Sequence, residues 1–257
     1  MLRWIYKSIC IVLSLILKLF PDQYVKRAFE RKVEKCSWYL EYVPDEFKTK
    51  DMCEIAVYHN EFLLVYVPDH LKTKEMCKKA VEENPYCLEY VPDNLKTKEM
   101  CKKAVEENPY CLEYAPDNLK TKEMCLEAVD AKPWCLQYVP DHFKTKEMCE
   151  KVVDAKPWCL QYVPDHLKTK EMCEKVVEIF PKMLKYVPDY FKTKGMCKEV
   201  VENQPWCLQF VNDFKIRKSQ KQSIKEDLLP VAWHPSRYYD WCMDEDEKKI
   251  LEKLFIQ

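Results

Sequence analysis

The side chains able to do chemistry in this chain come in ladders. Cys53, Cys77, Cys101, Cys125, Cys149, Cys173 and Cys197 recur every 24 residues, and Cys87, Cys111, Cys135, Cys159 and Cys207 form a second series in step with the first. Zinc and iron–sulfur sites ask for C-x₂₋₄-C pairs, often completed by histidine. Here nine and thirteen residues alternate between the two series, and no histidine joins them. Leu63 and Met183 stand where the second series lacks cysteine, an exchange that packing tolerates and ligation does not. The ladders are therefore expected to be reduced cysteines filling a core, with no metal and no cofactor.

Lysine forms the next series. Lys72 with Lys74, Lys96 with Lys98, Lys120 with Lys122 and Lys144 with Lys146 belong to a run of pairs extending from Lys48 to Lys194. On stacked repeats such pairs line one ridge, a candidate track for RNA or another polyanion. Aspartates from Asp45 to Asp213 keep the same period, so a solvated, internally paired face is the competing expectation. A third ladder is aromatic: Trp38, Phe62, Tyr86, Tyr110, Trp134, Trp158 and Trp206, broken by Lys182. Aromatics beside lysines stack bases in single-strand binders, yet a place next to a proline fits packing between repeats, which is the expectation here. His70, His142 and His166 share one slot with Glu46, Asn94, Asn118 and Tyr190. No catalytic or ligating histidine survives that exchange, so the slot is read as surface.

The element carrying these ladders is a unit of 24 residues. Copies begin at Tyr42, Tyr66, Tyr90, Tyr114, Tyr138, Tyr162 and Tyr186, with a truncated one at Phe210; a fixed period of this size marks a repeat array. In Thr97–Glu107, Thr97 is suited to cap a helix and Glu99 to complement its dipole. Met100, Cys101, Ala104 and Val105 fall on one apolar stripe of about three turns. Asn108-Pro109 ends that helix and opens a short second one, α or 3₁₀, through Tyr114. Asp117 is expected to cap the short turn leading to Lys120 and Thr121, where the next long helix begins. One unit buries too little to fold alone, so the fold class is all-α, an α-solenoid held by neighbour interfaces. Its cadence resembles the leucine-rich repeat variant architecture.

Composition agrees with that class. The single glycine, Gly195, and 16 prolines disfavour hairpins and open linkers. Charged residues make up 33% of the chain at a net charge of -1, a balance that argues against wholesale nucleic-acid binding. Charge is uneven, with residues 1–35 carrying +5 and residues 214–257 carrying +1. Three parts follow: 1–41, a hydrophobic stretch and degenerate capping repeat; 42–213, the tandem repeats; and 214–257, a charged connector and aromatic cap. Residues 4–20 hold only ten consecutive uncharged positions, short of the roughly 20 a spanning helix needs. A buried capping helix, a membrane contact and a secretion signal are the three readings of that stretch. In the last part, Trp233, His234, Arg237, Tyr238 and Trp241 are candidate partner-binding residues, or close the open end of the array. His234, Ser236, Asp240 and Cys242 lack a nucleophile motif.

The YVPDHFKTKEMC-like units and the segment AWHPSRYYDWC, together covering residues 42–242, resemble a family of uncharacterised tandem-repeat proteins of the kind found in large DNA viruses and some symbiotic or parasitic genomes. That resemblance implies no activity. Phe180, Lys182, Met183 and Asn212 depart from the repeat pattern and put regular packing there in question. The expected function is a non-enzymatic scaffold for protein–protein interaction, intracellular and cytoplasmic. An RNA or polyanion binder and a membrane-associated adaptor held by residues 4–20 are the alternatives.

Overall fold

The computed structural model describes residues 22–211, and among them every element is helical. The chain divides into two compact units, Met1–Tyr138 and Val139–Gln257. In the first, a 14-residue helix Asp22–Lys35 and the 3₁₀ helix Ser37–Tyr42 form the degenerate opening repeat. After them α-helices and 3₁₀ helices alternate: Lys50–His59, Glu61–Tyr66, Lys74–Glu83, Pro85–Tyr90, Lys98–Glu107, Pro109–Tyr114, Lys122–Ala131 and Pro133–Tyr138. The second unit repeats the alternation with Lys146–Ala155, Pro157–Tyr162, Lys170–Ile179, Pro181–Tyr186 and Lys194–Asn203, and ends in Pro205–Cys207 and Leu208–Val211.

Each ten-residue helix begins where the threonine hydroxyl accepts an amide that has no partner inside the helix. Thr97 Oγ1 takes the Met100 N–H at 3.2 Å, and Thr73, Thr121, Thr145, Thr169 and Thr193 do the same in their own repeats. Thr97→Ala is expected to cost about 1 kcal/mol while Thr97→Ser costs less than half of that. Urea denaturation of the two variants checks this, and equal losses would show that the methyl rather than the hydroxyl matters.

The long helices end without a left-handed residue. Asn108 sits in extended backbone, φ -141° and ψ 106°, because Pro109 disfavours helical geometry in the residue before it. Its N–H still closes the helix on Ala104 O at 2.8 Å, and its side chain accepts the Tyr110 N–H at 3.1 Å to start the 3₁₀ helix. One asparagine thus serves two helices, a role the sequence reading missed. Asn60 and Asn84 repeat it, whereas Lys156 and Phe180 occupy the position with no side-chain cap. No described residue has positive φ, which is how the chain manages with one glycine.

Packing runs between neighbouring repeats within each unit. Helix Lys98–Glu107 lies against helices Lys74–Glu83 and Lys122–Ala131 and against the 3₁₀ helices Pro85–Tyr90 and Pro109–Tyr114. The expected stripe of Met100, Cys101, Ala104 and Val105 is buried, joined by Cys111, Leu112 and Ala115. Leu88, Leu112 and Leu136 in the first unit and Leu160 and Leu184 in the second are fully enclosed. The departures at 180–183 do not disturb this pattern. Met183 is buried in the cysteine slot, and Phe180 meets Trp158 edge-on at 5.9 Å.

Candidate functional site

The lysine pairs divide between two roles. In the first unit the Nζ atoms of Lys48, Lys72, Lys96 and Lys120 turn inward, leaving the four side chains only 5–8% exposed. Each donates to the aspartate three residues earlier, at 2.8–2.9 Å, and to the backbone carbonyl of a tyrosine in the following repeat, at 2.6–2.7 Å. The acceptors Tyr66, Tyr90, Tyr114 and Tyr138 are the last residues of their 3₁₀ helices. Terminal carbonyls there have no partner within the helix and sit at its negative end, so a buried ammonium satisfies hydrogen bonding and dipole together. In the second unit Lys144, Lys168 and Lys192 reach the carbonyls of Tyr162, Tyr186 and Phe210. The contact is to backbone, which is why phenylalanine serves at 210.

This arrangement corrects two expectations. Asp45, Asp69, Asp141 and Asp165 are the first residues of their turns, and the preceding prolines carry no side-chain cap. The Asp117 carboxylate likewise receives Lys120 Nζ, at 2.9 Å, where capping of the turn was expected. Of the candidate polyanion ridge, Lys72, Lys96, Lys120 and Lys144 are therefore engaged inside the repeats, whereas Lys74, Lys98, Lys122 and Lys146 stand exposed at the start of the long helices. Other charges on the long-helix face pair with one another. In the first unit Lys103 meets Glu82 at 3.2 Å and Lys78 meets Glu99 at 3.7 Å; in the second, Lys175 meets Asp154 at 2.6 Å.

The cysteines are placed as core residues. Both series have no exposed surface in the described repeats, while Cys36, outside the series, is exposed. Burial pushes the thiols of Cys53, Cys101 and Cys149 up to about 11 and those of Cys87 and Cys111 up to about 12, so none is a thiolate near neutral pH. The Cys87 and Cys135 thiols donate to the carbonyls of Glu61 and Pro109 in the preceding repeats. Among the described residues no group of three or more His, Cys, Asp or Glu is placed to hold a metal.

The aromatic ladder departs from the packing expectation in the first unit. Trp38 and Phe62 are each 50% exposed, Tyr86 47%, Tyr110 39% and Trp134 37%. They occupy the second position of each 3₁₀ helix, whose inward face is already taken by the leucine two residues on, joined by Leu63, Cys87, Cys111 or Cys135 in the later four. The slot shared by His70, His142 and His166 is exposed throughout, as are Glu46, Asn94, Asn118 and Tyr190. Tyr58, elsewhere on the first unit, carries Lys79 Nζ 3.6 Å from its ring centre and borders a cleft with Glu54, Glu75 and Met76.

Two sequence candidates lie outside the described residues: the stretch 4–20, and the group Trp233, His234, Arg237, Tyr238 and Trp241. No described helix is long and apolar enough to cross a membrane. No curated protein matches the chain. Residues 73–120 and 121–168 match, one directly after the other, the family model of a domain of unknown function, DUF4116, so that the middle of this chain is similar to two such domains in tandem.

Proposed function

We propose that the protein is a non-enzymatic repeat scaffold that binds another protein through the exposed positions that change from repeat to repeat. What supports this reading is a division of labour. Residues kept between copies are engaged in building the array: lysine on the next carbonyl, threonine as cap, and cysteine, methionine and leucine as core. Positions whose charge or polarity changes between copies face outward, as with Lys78-Lys79, Lys102-Lys103 and Leu126-Glu127 on the long helices and Val65, Glu89, Glu113 and Gln137 on the short ones. Repeat arrays present extended surfaces of this kind to protein partners. The tail group around Trp233 and Trp241, a stretch dense in aromatic residues, is proposed as a second contact.

The exposed lysines at 74, 98 and 122 of the first unit favour one other reading, a polyanion track. A photo-crosslinking residue placed at 89 and, separately, at 126 in the full chain separates the two in extracts of the native cell. The scaffold reading expects discrete protein adducts that survive nuclease and do not change with Lys98→Glu plus Lys122→Glu. Adducts that are nuclease-sensitive and disappear in that double variant would replace it with the polyanion reading.

A further inference from the structure

Among the first unit's surfaces, the outward edge of the stacked 3₁₀ helices combines exposed aromatic rings with carboxylates. In a 3₁₀ helix, side chains three residues apart eclipse one another. Tyr86 therefore projects beside Glu89, and Tyr110 beside Glu113, all four of them exposed. The corresponding pairs are Trp38 with Glu41, Phe62 with Val65 and Trp134 with Gln137. Successive 3₁₀ helices of this unit pack directly against one another, so the pairs form a contiguous stripe rather than scattered surface rings.

The charge of that stripe is one-sided. The segments Glu61–Tyr66, Pro85–Tyr90 and Pro109–Tyr114 contain Glu61, Glu89 and Glu113 and no lysine or arginine. The nearest lysines in the adjoining turns, Lys72, Lys96 and Lys120, are turned inward onto carbonyls. Lysines and acids of the long-helix face instead neutralise one another through pairs such as Lys103–Glu82. The carboxylates are also held in position. Burial, then Glu89 and Glu113, raise the Tyr114 phenol above its ordinary value, and burial with the adjacent Glu113 pushes Tyr138 up to about 12. The Glu113 carboxylate thus meets the phenol of Tyr138 in the following 3₁₀ helix, and the Glu89 carboxylate that of Tyr90 in its own.

An aromatic face beside a carboxylate is a receptor for one cationic side chain, the ring attracting its charge and the oxygens accepting its N–H groups. Packed helices lie about 8–10 Å apart. A polyproline II segment turns once in three residues and rises about 3.1 Å per residue, returning to the same face after roughly 9 Å. We infer that the short-helix edge of the first unit docks an extended, polyproline II-like segment of another protein with arginine or lysine at every third residue, its cations seated on Tyr86/Glu89 and Tyr110/Glu113. The inference rests on the scaffold reading and names the chemistry of its partner. Phe62/Val65 would take an apolar residue on the same segment, which gives the surface a residue-by-residue preference.

The test uses the full chain and a fluorescent (Pro-Pro-Arg)₄ peptide, followed by anisotropy. Binding is expected to weaken about tenfold or more with Glu89→Gln plus Glu113→Gln, as two charge-assisted contacts are lost. Glu83→Gln plus Glu107→Gln, an equal charge change on the long-helix side, is expected to stay within about twofold. A peptide of the same composition with its four arginines contiguous is expected to bind more weakly. Equal weakening by both double variants, or equal affinity for both peptides, would reduce the effect to long-range charge and overturn the inference. Equal binding of (Pro-Pro-Gln)₄ would overturn the cationic chemistry while leaving the scaffold reading standing. Self-association of the full chain that vanishes in Glu89→Gln plus Glu113→Gln would assign the stripe to a second copy and equally overturn it. Failure of the scaffold reading itself registers separately, as absence of protein adducts at 89 and 126.

Discussion

Lys96→Met is expected to destabilise the first unit by about 2–3 kcal/mol, whereas Lys98→Met, two residues away, is expected to stay within about 0.5 kcal/mol. The two lysines look equivalent in the sequence, yet only Lys96 bridges repeats, donating to Asp93 at 2.9 Å and to Tyr114 O at 2.7 Å from a nearly enclosed position. Methionine preserves the aliphatic stem and removes the ammonium, so the Tyr114 carbonyl loses its charged donor. Lys96→Glu is expected to do more damage, since it brings a second carboxylate next to Asp93 and a negative charge to a helix C-terminus. Urea denaturation followed by circular dichroism measures all three; similar midpoints for Lys96→Met and Lys98→Met would contradict the staple. A further consequence concerns tests of anion binding. Charge reversal at Lys96 or Lys120 would unfold the array and mimic a lost binding site, so only Lys98, Lys122 and their equivalents are informative.

The second large effect is expected in alkali. Unfolded thiols titrate near 9.0, whereas burial raises Cys53, Cys77, Cys101, Cys125 and others to about 11, and Cys87 and Cys111 to about 12. Between these values the unfolded chain has released protons that the folded chain keeps, so the native state binds more protons and stability falls as pH rises. The contribution is fully present below pH 9.0 and is lost progressively toward 11 to 12. Each such thiol adds about 1.4 kcal/mol per pH unit to the slope within that window. The denaturation midpoint is therefore expected to be flat with respect to these thiols at pH 7–8 and to drop steeply above pH 9. Replacing Cys87 and Cys111 by valine should shallow the drop. A midpoint that holds steady to pH 10.5, or an alkaline limb unchanged by the two valines, would mean that the thiols are not what limits the fold there.

The repeat made much of the architecture legible. Thr97, the stripe Met100, Cys101, Ala104 and Val105, and the break at Asn108-Pro109 each act through contacts within a few residues, and helix Lys98–Glu107 and 3₁₀ helix Pro109–Tyr114 lie where that local pattern places them. The cysteine ladders were legible for another reason: the exchange with Leu63 and Met183 marks an apolar environment directly, and those two residues are buried as well. The candidate sites were less so. A lysine on a ridge and a lysine folded onto the next repeat have the same local sequence, K-T-K, and the same period. An aromatic after a helix-opening proline is also locally indifferent between core and edge.

By itself, then, the sequence determined the period, the helices with their caps and ends, the apolar stripe and the core cysteines, because all of these follow from interactions over one or two turns. Tertiary structure alone decided that Lys96 is a staple and Lys98 a surface charge, and that Tyr86 and Tyr110 stand outward beside Glu89 and Glu113. The physical reason is range: the acceptor of Lys96 lies 18 residues ahead, and the exposure of an aromatic depends on how the 3₁₀ helices of neighbouring repeats stack against its own.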